Sequence, residues 1–215
     1  MNQNLPGIPD DVTDDGDGPL EDAMSMPGIQ AQAASEDTDL RLSLAALSQL
    51  ATGQMQLSEA LTRVAEFAVQ AIPGADGAGL TLLEKNRHDT IVASAPFVGQ
   101  VDAIQYSIEE GPCITAAAEA RTVRSGSLDN DRQWPRFGAR VGRLGVHSVL
   151  SIPLLTTEGV LGAMNIYAHE RDAFDDRAAM IGELFAVPAA IAVHNAQVLA
   201  FDCNCWKRCL ISRTT

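Results

Sequence analysis

The chain has 215 residues, 46% of them hydrophobic, and a formal charge of −13 that is spread unevenly. Residues 1–39 hold ten Asp or Glu and no Lys or Arg, residues 40–200 hold 17 acidic and 12 basic (net −5), and the last 15 are net +2. The central part is only mildly acidic, so it has no general affinity for phosphate backbones or anionic lipid, and the length suits one domain with extensions.

No positively charged, apolar leader opens the sequence. Its longest apolar stretch, residues 184–193, is ten residues long and interrupted by Pro188, too short to span a bilayer. These features predict a soluble, cytoplasmic protein with no membrane partner. Residues 1–39 combine Asp, Gly, Pro and Ser with few large apolar groups. Such a segment cannot bury enough surface to offset its ordering entropy, which predicts a disordered acidic tail, solvated or serving as a regulatory arm.

From Leu40 the pattern turns helical. Leu40, Leu44, Leu47, Leu50 and Ala51 recur at helical spacing, as do Leu57, Leu61, Val64, Ala65, Ala68 and Val69. Gly53 marks a break, Ser58-Glu59 a new start, and Pro73-Gly74 a stop. Residues 77–83 and 90–95 read as strands around a charged turn at 85–89. Residues 96–107 show no clear period. Pro112 then opens a helix over 113–121, with Glu109 and Glu110 at the positive end of its dipole. A short strand at 122–125, a polar loop at 128–134 and a basic helix at 135–144 ended by Gly145 follow.

Residues 146–167 carry the strongest strand signal, two apolar runs around the turn Thr156-Thr157-Glu158-Gly159. A four-residue turn sets Leu155 opposite Val160 and Ser151 opposite Met164. One face then carries Val149, Ser151, Pro153, Gly162, Met164 and Ile166. The other carries Ser148, Leu150, Ile152, Leu154, Leu161, Ala163, Asn165 and Tyr167. Neither face is polar enough for open water, so the hairpin is expected at the centre of its sheet. Asp175 reads as the N-cap of a helix reaching Ala200, bent at Pro188. The order is that of an α+β fold: an antiparallel sheet with terminal helices on one face and irregular, pocket-forming segments on the other.

Five stretches in this order resemble the GAF domain family over residues 40–200: IPGADGAGLTLL, EEGPCITAAAEARTV, QWPRFGARVGRLGVHSVLSIPL, GVLGAMNIYA and AFDDRAAMI. In combination they look most like the actinobacterial GAF domains that precede an ANTAR domain in RNA-binding antitermination regulators. The resemblance implies a ligand- or signal-sensing module, dimeric through its terminal helices, with a pocket on the opposite sheet face. The family's ligands range over cyclic nucleotides, haem, bilins and small metabolites, so no cofactor is named by the fold.

Candidate chemistry is sparse. Cys113 sits at a helix start, where the dipole can lower a thiol pKa, or it is a small buried apolar residue. Some GAF domains resemble free methionine sulfoxide reductases, which attack and resolve with cysteines inside the domain. Cys113 is the only cysteine between residues 1 and 202, so a resolving partner within the core is missing. His88, His147, His169 and His194 are scattered, and no Cys/His spacing forms a metal site. Only His147, at the start of the central hairpin, is a candidate haem ligand or pocket donor, and the alternative is a satisfied core or surface histidine. Arg132, Arg136, Arg140 and Arg143 line one helix side, a solvated face that lacks the interleaved aromatics of nucleic-acid binders.

The expected reading is a non-catalytic sensor in a signalling or transcription-regulatory protein, with no direct nucleic-acid contact. A sulfoxide reductase-like enzyme and a ligand-free dimerisation module are the alternatives. The pocket for its small-molecule ligand is expected at Phe97, Tyr106, Cys113, Ser148, Leu150, Asn165 and Tyr167, where polar handles stand among apolar walls. A homodimer is expected through the helices at 40–51 (Leu40 to Ala51) and 175–200 (Asp175 to Ala200), because the stripe of Leu40, Leu44 and Leu47 needs a cover. The last 15 residues, FDCNCWKRCLISRTT, depart from the pattern before them. They read as a truncated or frameshifted end in place of an output domain, and three thiolates make a poor zinc clip.

Overall fold

The computed structural model describes residues 27–52, 55–84 and 87–211. The chain divides into two compact units, Met1–Ser35 and Glu36–Thr215, and the second holds the fold. Its elements run α1 (Pro27–Thr52), α2 (Leu57–Ala71), β1 (Gly77–Glu84), β2 (Arg87–Ala93), α3 (Pro96–Ile108), α4 (Pro112–Glu119), β3 (Val123–Ser125), α5 (Pro135–Val141), β4 (Ser148–Thr156), β5 (Gly159–Ala168) and α6 (Asp176–Ile211).

The five strands form one antiparallel sheet in the order β2-β1-β5-β4-β3, so the β4–β5 hairpin is central as expected. Its register is not the expected one. Leu155 faces Val160, but between Leu154 and Leu155 the register shifts, and Ser151 faces Asn165. The bulge adds one residue to β5 at Leu161, and every side chain beyond it changes face. Ser151, Asn165, Val149 and Tyr167 therefore share one face, and Leu150, Ile152, Met164 and Ile166 the other.

Each face has its own core. Leu150, Ile152, Leu154, Met164 and Ile166 pack with Leu61, Val64 and Ala68 of α2, Leu47 of α1, and Phe185, Ala189 and Val193 of α6. Opposite them, Val149 and Tyr167 pack with Val98 and Val101 of α3, Ala116 of α4, and Phe137 and Val141 of α5. Covering both faces is what an apolar central hairpin requires.

Several boundaries differ from expectation. α1 begins at Pro27, inside the segment read as disordered, and α6 continues past Ala200 to Ile211, through most of the segment read as a break in the helix. Residues 1–26, Gly53, Lys85 and Asn86 lie outside the described residues. Residues 96–107, read as without period, belong to α3. The leucine stripe of α1 needs no second molecule to cover it: Leu47 is fully buried, and Leu40, Leu44 and Leu50 pack against the same core. Asp175 caps α6 as expected, its carboxylate accepting from the Ala178 N–H at 2.7 Å.

Candidate functional site

The polar centre of the molecule is built by α3. Pro96 sits in the first helical turn, where its missing N–H costs nothing. The buried positions are Val98, Val101, Asp102 and Gln105. That is helical spacing, but half of the stripe is polar. The helix lies against β1 at Gly79, where an added Cβ would stand 2.6 Å from Asp102 Oδ2 and 2.9 Å from Val98 Cγ1. The missing side chain lets the carboxylate reach the sheet.

Asp102 Oδ1 accepts three hydrogen bonds, from Tyr167 O–H at 2.6 Å, Gln105 Nε2 at 2.8 Å and Asn165 Nδ2 at 3.2 Å. Ser151 Oγ donates to Asn165 Oδ1 at 2.9 Å, extending the network into β4. On the other side Gln105 Oε1 accepts from the Cys113 N–H at 3.1 Å, fixing the start of α4. The Tyr106 hydroxyl bonds Thr81 Oγ1 and lies 3.3 Å from Cys113 Sγ. Asp102, Gln105, Ser151, Asn165 and Tyr167 are all at 0% exposure, so this is a sealed polar hub and not a wetted cleft.

The electrostatics follow from burial. Burial, and then the Asp102 charge, pushes the Cys113 thiol up to about 11 from its ordinary 9.0. Burial likewise pushes the Tyr106 and Tyr167 hydroxyls above 10.0, with Cys113 and Asp102 adding to the effect. Near neutral pH these three groups keep their protons and serve as hydrogen-bond partners. A protonated, buried Cys113 is a poor nucleophile, whatever the helix dipole contributes.

Four of the seven expected pocket residues, Tyr106, Cys113, Asn165 and Tyr167, come together here. Phe97 lies at the start of α3, half-buried, its ring 4.8 Å from that of His169. Leu150 and Ser148 are on the opposite face, the one under α2 and α6, because of the bulge in β5. Leu150 belongs to the core under α6, and Ser148 Oγ donates to the Glu170 carbonyl at 2.6 Å. Thr81, Asp102, Gln105 and Ser151 were missed by sequence reasoning. The signal was present for Asp102 and Gln105, since 98, 101, 102 and 105 follow the spacing of a helix face.

The remaining candidates lie elsewhere. His147 is beside Asp129, its Nδ1 3.8 Å from Asp129 Oδ1. Glu110, expected at the start of α4, instead caps α5: Oε1 accepts from the Arg136 and Phe137 N–H groups at 2.7 and 3.1 Å, and Oε2 from Arg136 Nε at 2.8 Å. Arg136 is thereby taken out of the basic face. Among the described residues no three His, Cys, Asp or Glu side chains converge on a metal position. A groove of about 350 Å³ lies away from the hub, between α6, the outer half of β4 and the residues Ala120, Arg121 and Thr122 that follow α4. By length and composition alone, α6 over Asp176–Ala200 could cross a membrane, with a mean hydropathy of 1.4. Half of that stretch is buried against the sheet and its neighbours, as in a core helix.

A five-stranded antiparallel sheet between terminal helices and a polar site roofed by short helices defines a small α+β module. The chain belongs to the GAF domain family, whose model matches residues 54–194. Curated relatives are the anaerobic nitric oxide reductase transcription regulators NorR. That of Aliivibrio fischeri is 28% identical over 125 residues, covering 57% of this chain and 24% of the relative. That of Vibrio vulnificus is 28% identical over 151 residues, covering 66% and 29%. The matched part thus spans only 24–29% of those relatives' length. The GAF domain of a phosphoenolpyruvate-protein phosphotransferase (ptsP) from Coxiella burnetii has the same fold at TM-score 0.59 and 17% identity, covering 75% of this chain and 96% of that one. Free methionine-R-sulfoxide reductase from Neisseria meningitidis, solved with its substrate, matches at TM-score 0.58 and 15% identity, covering 77% and 92%.

Proposed function

We propose that this GAF domain is the sensory part of a cytoplasmic signalling or transcription-regulating protein, that it responds to a small molecule without catalysing a reaction, and that it acts as a homodimer. The observation that carries the reading is the sealed hub around Asp102. A fold needing only a scaffold gains little from taking a carboxylate and two amides out of water, because each must find a partner or cost free energy. A hub of hydrogen-bonded donors and acceptors can exchange its internal hydrogen bonds for those of a small polar ligand. Tyr106, the half-buried member of the set, stands where such an opening would begin. The regulatory role is supported by relatives named as transcription regulators. The likeness to GAF domains that precede ANTAR domains rests on the five sequence stretches alone. No direct contact with nucleic acid is proposed.

The reductase reading is disfavoured by the same residues. A buried and protonated Cys113 does not offer the thiolate that such chemistry needs, and residues 40–200 hold no second cysteine to resolve it. Native mass spectrometry of the protein purified from its own cells tests the proposal. A dimer carrying a retained small molecule, lost in Asp102→Ala, is the expected result. Turnover of free methionine sulfoxide that is abolished by Cys113→Ser would overturn it.

A further inference from the structure

Ion pairing is distributed unevenly over this acid-rich chain. Arg63, Arg121, Arg124, Arg136, Arg171 and Arg177 each hold a carboxylate. Among the described side chains Arg41, Arg132, Arg140 and Arg143 form no ion pair, and three of these four belong to α5 and the short segments at its two ends. Residues 132–157 contain no Asp or Glu. The acids bordering this stretch are engaged: Glu110 with Arg136, Asp129 with Arg171, and Asp131 Oδ1 with the Gln133 N–H at 2.8 Å. Arg132, Arg140 and Arg143 are exposed, as are Pro135, Ala139 and Leu144 beside them.

The element that carries these arginines is held firmly. Inward, Phe137 and Val141 are fully buried in the core with Val98 and Val101 of α3, the helix that bears Asp102. Gly138 lies so close to the Leu128 carbonyl that an added Cβ would stand 1.8 Å from its oxygen. Trp134 Nε1 donates to Thr115 Oγ1 at 3.0 Å, and Glu110 Oε1 caps the first turn of α5. A 3-10 turn at Gly142–Leu144 continues α5, so Arg140 and Arg143 share a side of it, with about 5–6 Å between their Cβ atoms.

We propose that this arginine face docks an acidic peptide segment of a partner protein, with carboxylates about one helical turn apart and an apolar residue set against Leu144. The proposal stands apart from the small-molecule ligand and the homodimer proposed above. Charge complementarity selects the partner. Guanidinium groups left without carboxylates on a fixed helix, in a chain of net charge −13, are free to pair with acids from outside. A long polyanion fits less well, because the acids elsewhere on the chain repel it and three arginines release the counterions of only about three phosphates. Nor do aromatic rings stand among the exposed arginines to stack on bases, since Trp134 and Phe137 are both buried.

The test titrates the full chain into a fluorescein-labelled peptide of about ten residues, Glu with interspersed Leu, at about 20 mM salt, where such contacts are least screened. Saturable binding is expected. Arg140→Glu combined with Arg143→Glu should weaken it roughly tenfold, and Arg132→Glu severalfold. Arg63→Glu combined with Arg121→Glu changes the net charge equally on other surfaces and should alter the affinity less than about twofold. All variants should melt near the wild-type temperature, because the substituted side chains are exposed. Absence of saturable binding would overturn the docking surface. Equal weakening by the two double variants would show attraction to net charge alone and overturn the site. Oligothymidylate, or vesicles containing phosphatidylserine, binding more tightly than the peptide and through the same arginines would overturn the acidic peptide as partner.

Discussion

At the scale of single residues, the hub turns on how burial treats acids. Cys113 carries its proton up to about 11 in the folded chain, against an ordinary 9.0. A folded pKa raised above the unfolded one means that the native state holds a proton the unfolded state gives up. That contribution is fully present below pH 9 and is lost as pH rises towards 11. For two units it amounts to on the order of 2–3 kcal/mol. The tyrosines act in the same direction, but from about pH 10 upward. Urea midpoints of the wild type should therefore fall between pH 9 and 10, and those of Cys113→Ala should fall visibly less. An identical slope in the two proteins would mean that Cys113 is not sealed in the hub.

At the scale of elements, close approach of backbones decides what the sheet tolerates. At Gly162 on β5, a Cβ would lie 2.0 Å from the Thr81 carbonyl of β1, a backbone atom that cannot step aside. Gly162→Ala should cost at least about 3 kcal/mol by prising β1 from β5. Gly99 on α3 is the control: its added Cβ meets only the Ala93 Cβ, at 3.9 Å. There alanine should be neutral or stabilise by about 0.5–1 kcal/mol through helix propensity. Chemical denaturation of the two variants checks both values. The same elements show what could be read from the sequence. The central hairpin, the N-cap at Asp175 and the helix that stops before Pro73-Gly74 were legible because apolar periodicity and capping chemistry are local. α3 was not, because Asp102 and Gln105 occupy buried helix positions and remove half of the apolar signal. The faces of the hairpin were misassigned because the bulge at Leu161 is set by pairing between strands, and no local pattern announces it. The hub inherits both gaps: Tyr167 and Asn165 were found, while the carboxylate that binds them was not.

At the scale of the whole molecule, α6 serves two surfaces at once. Inward, Phe185 is fully buried among Leu150, Ile152 and the α2 side chains, and outward, one residue away, Leu184 is 56% exposed. A helix with both faces apolar separates folding from association. Phe185→Ala leaves a cavity between α6 and the sheet, and should lower the stability of the chain by about 3–5 kcal/mol at any protein concentration. Leu184→Asp removes nothing from that core, so the isolated chain should keep its stability to within about 1 kcal/mol. It places a charge on the exposed apolar side of α6, however, where burial in the proposed homodimer would leave it without solvent. Wild-type melting temperature should rise with protein concentration, because association stabilises only the folded chain. In Leu184→Asp that dependence should vanish, while the dilute-limit melting temperature stays near that of the wild type. Equal losses of stability in the two variants at high dilution would show that Leu184 belongs to the core of its own chain and that the outward stripe is not an association surface.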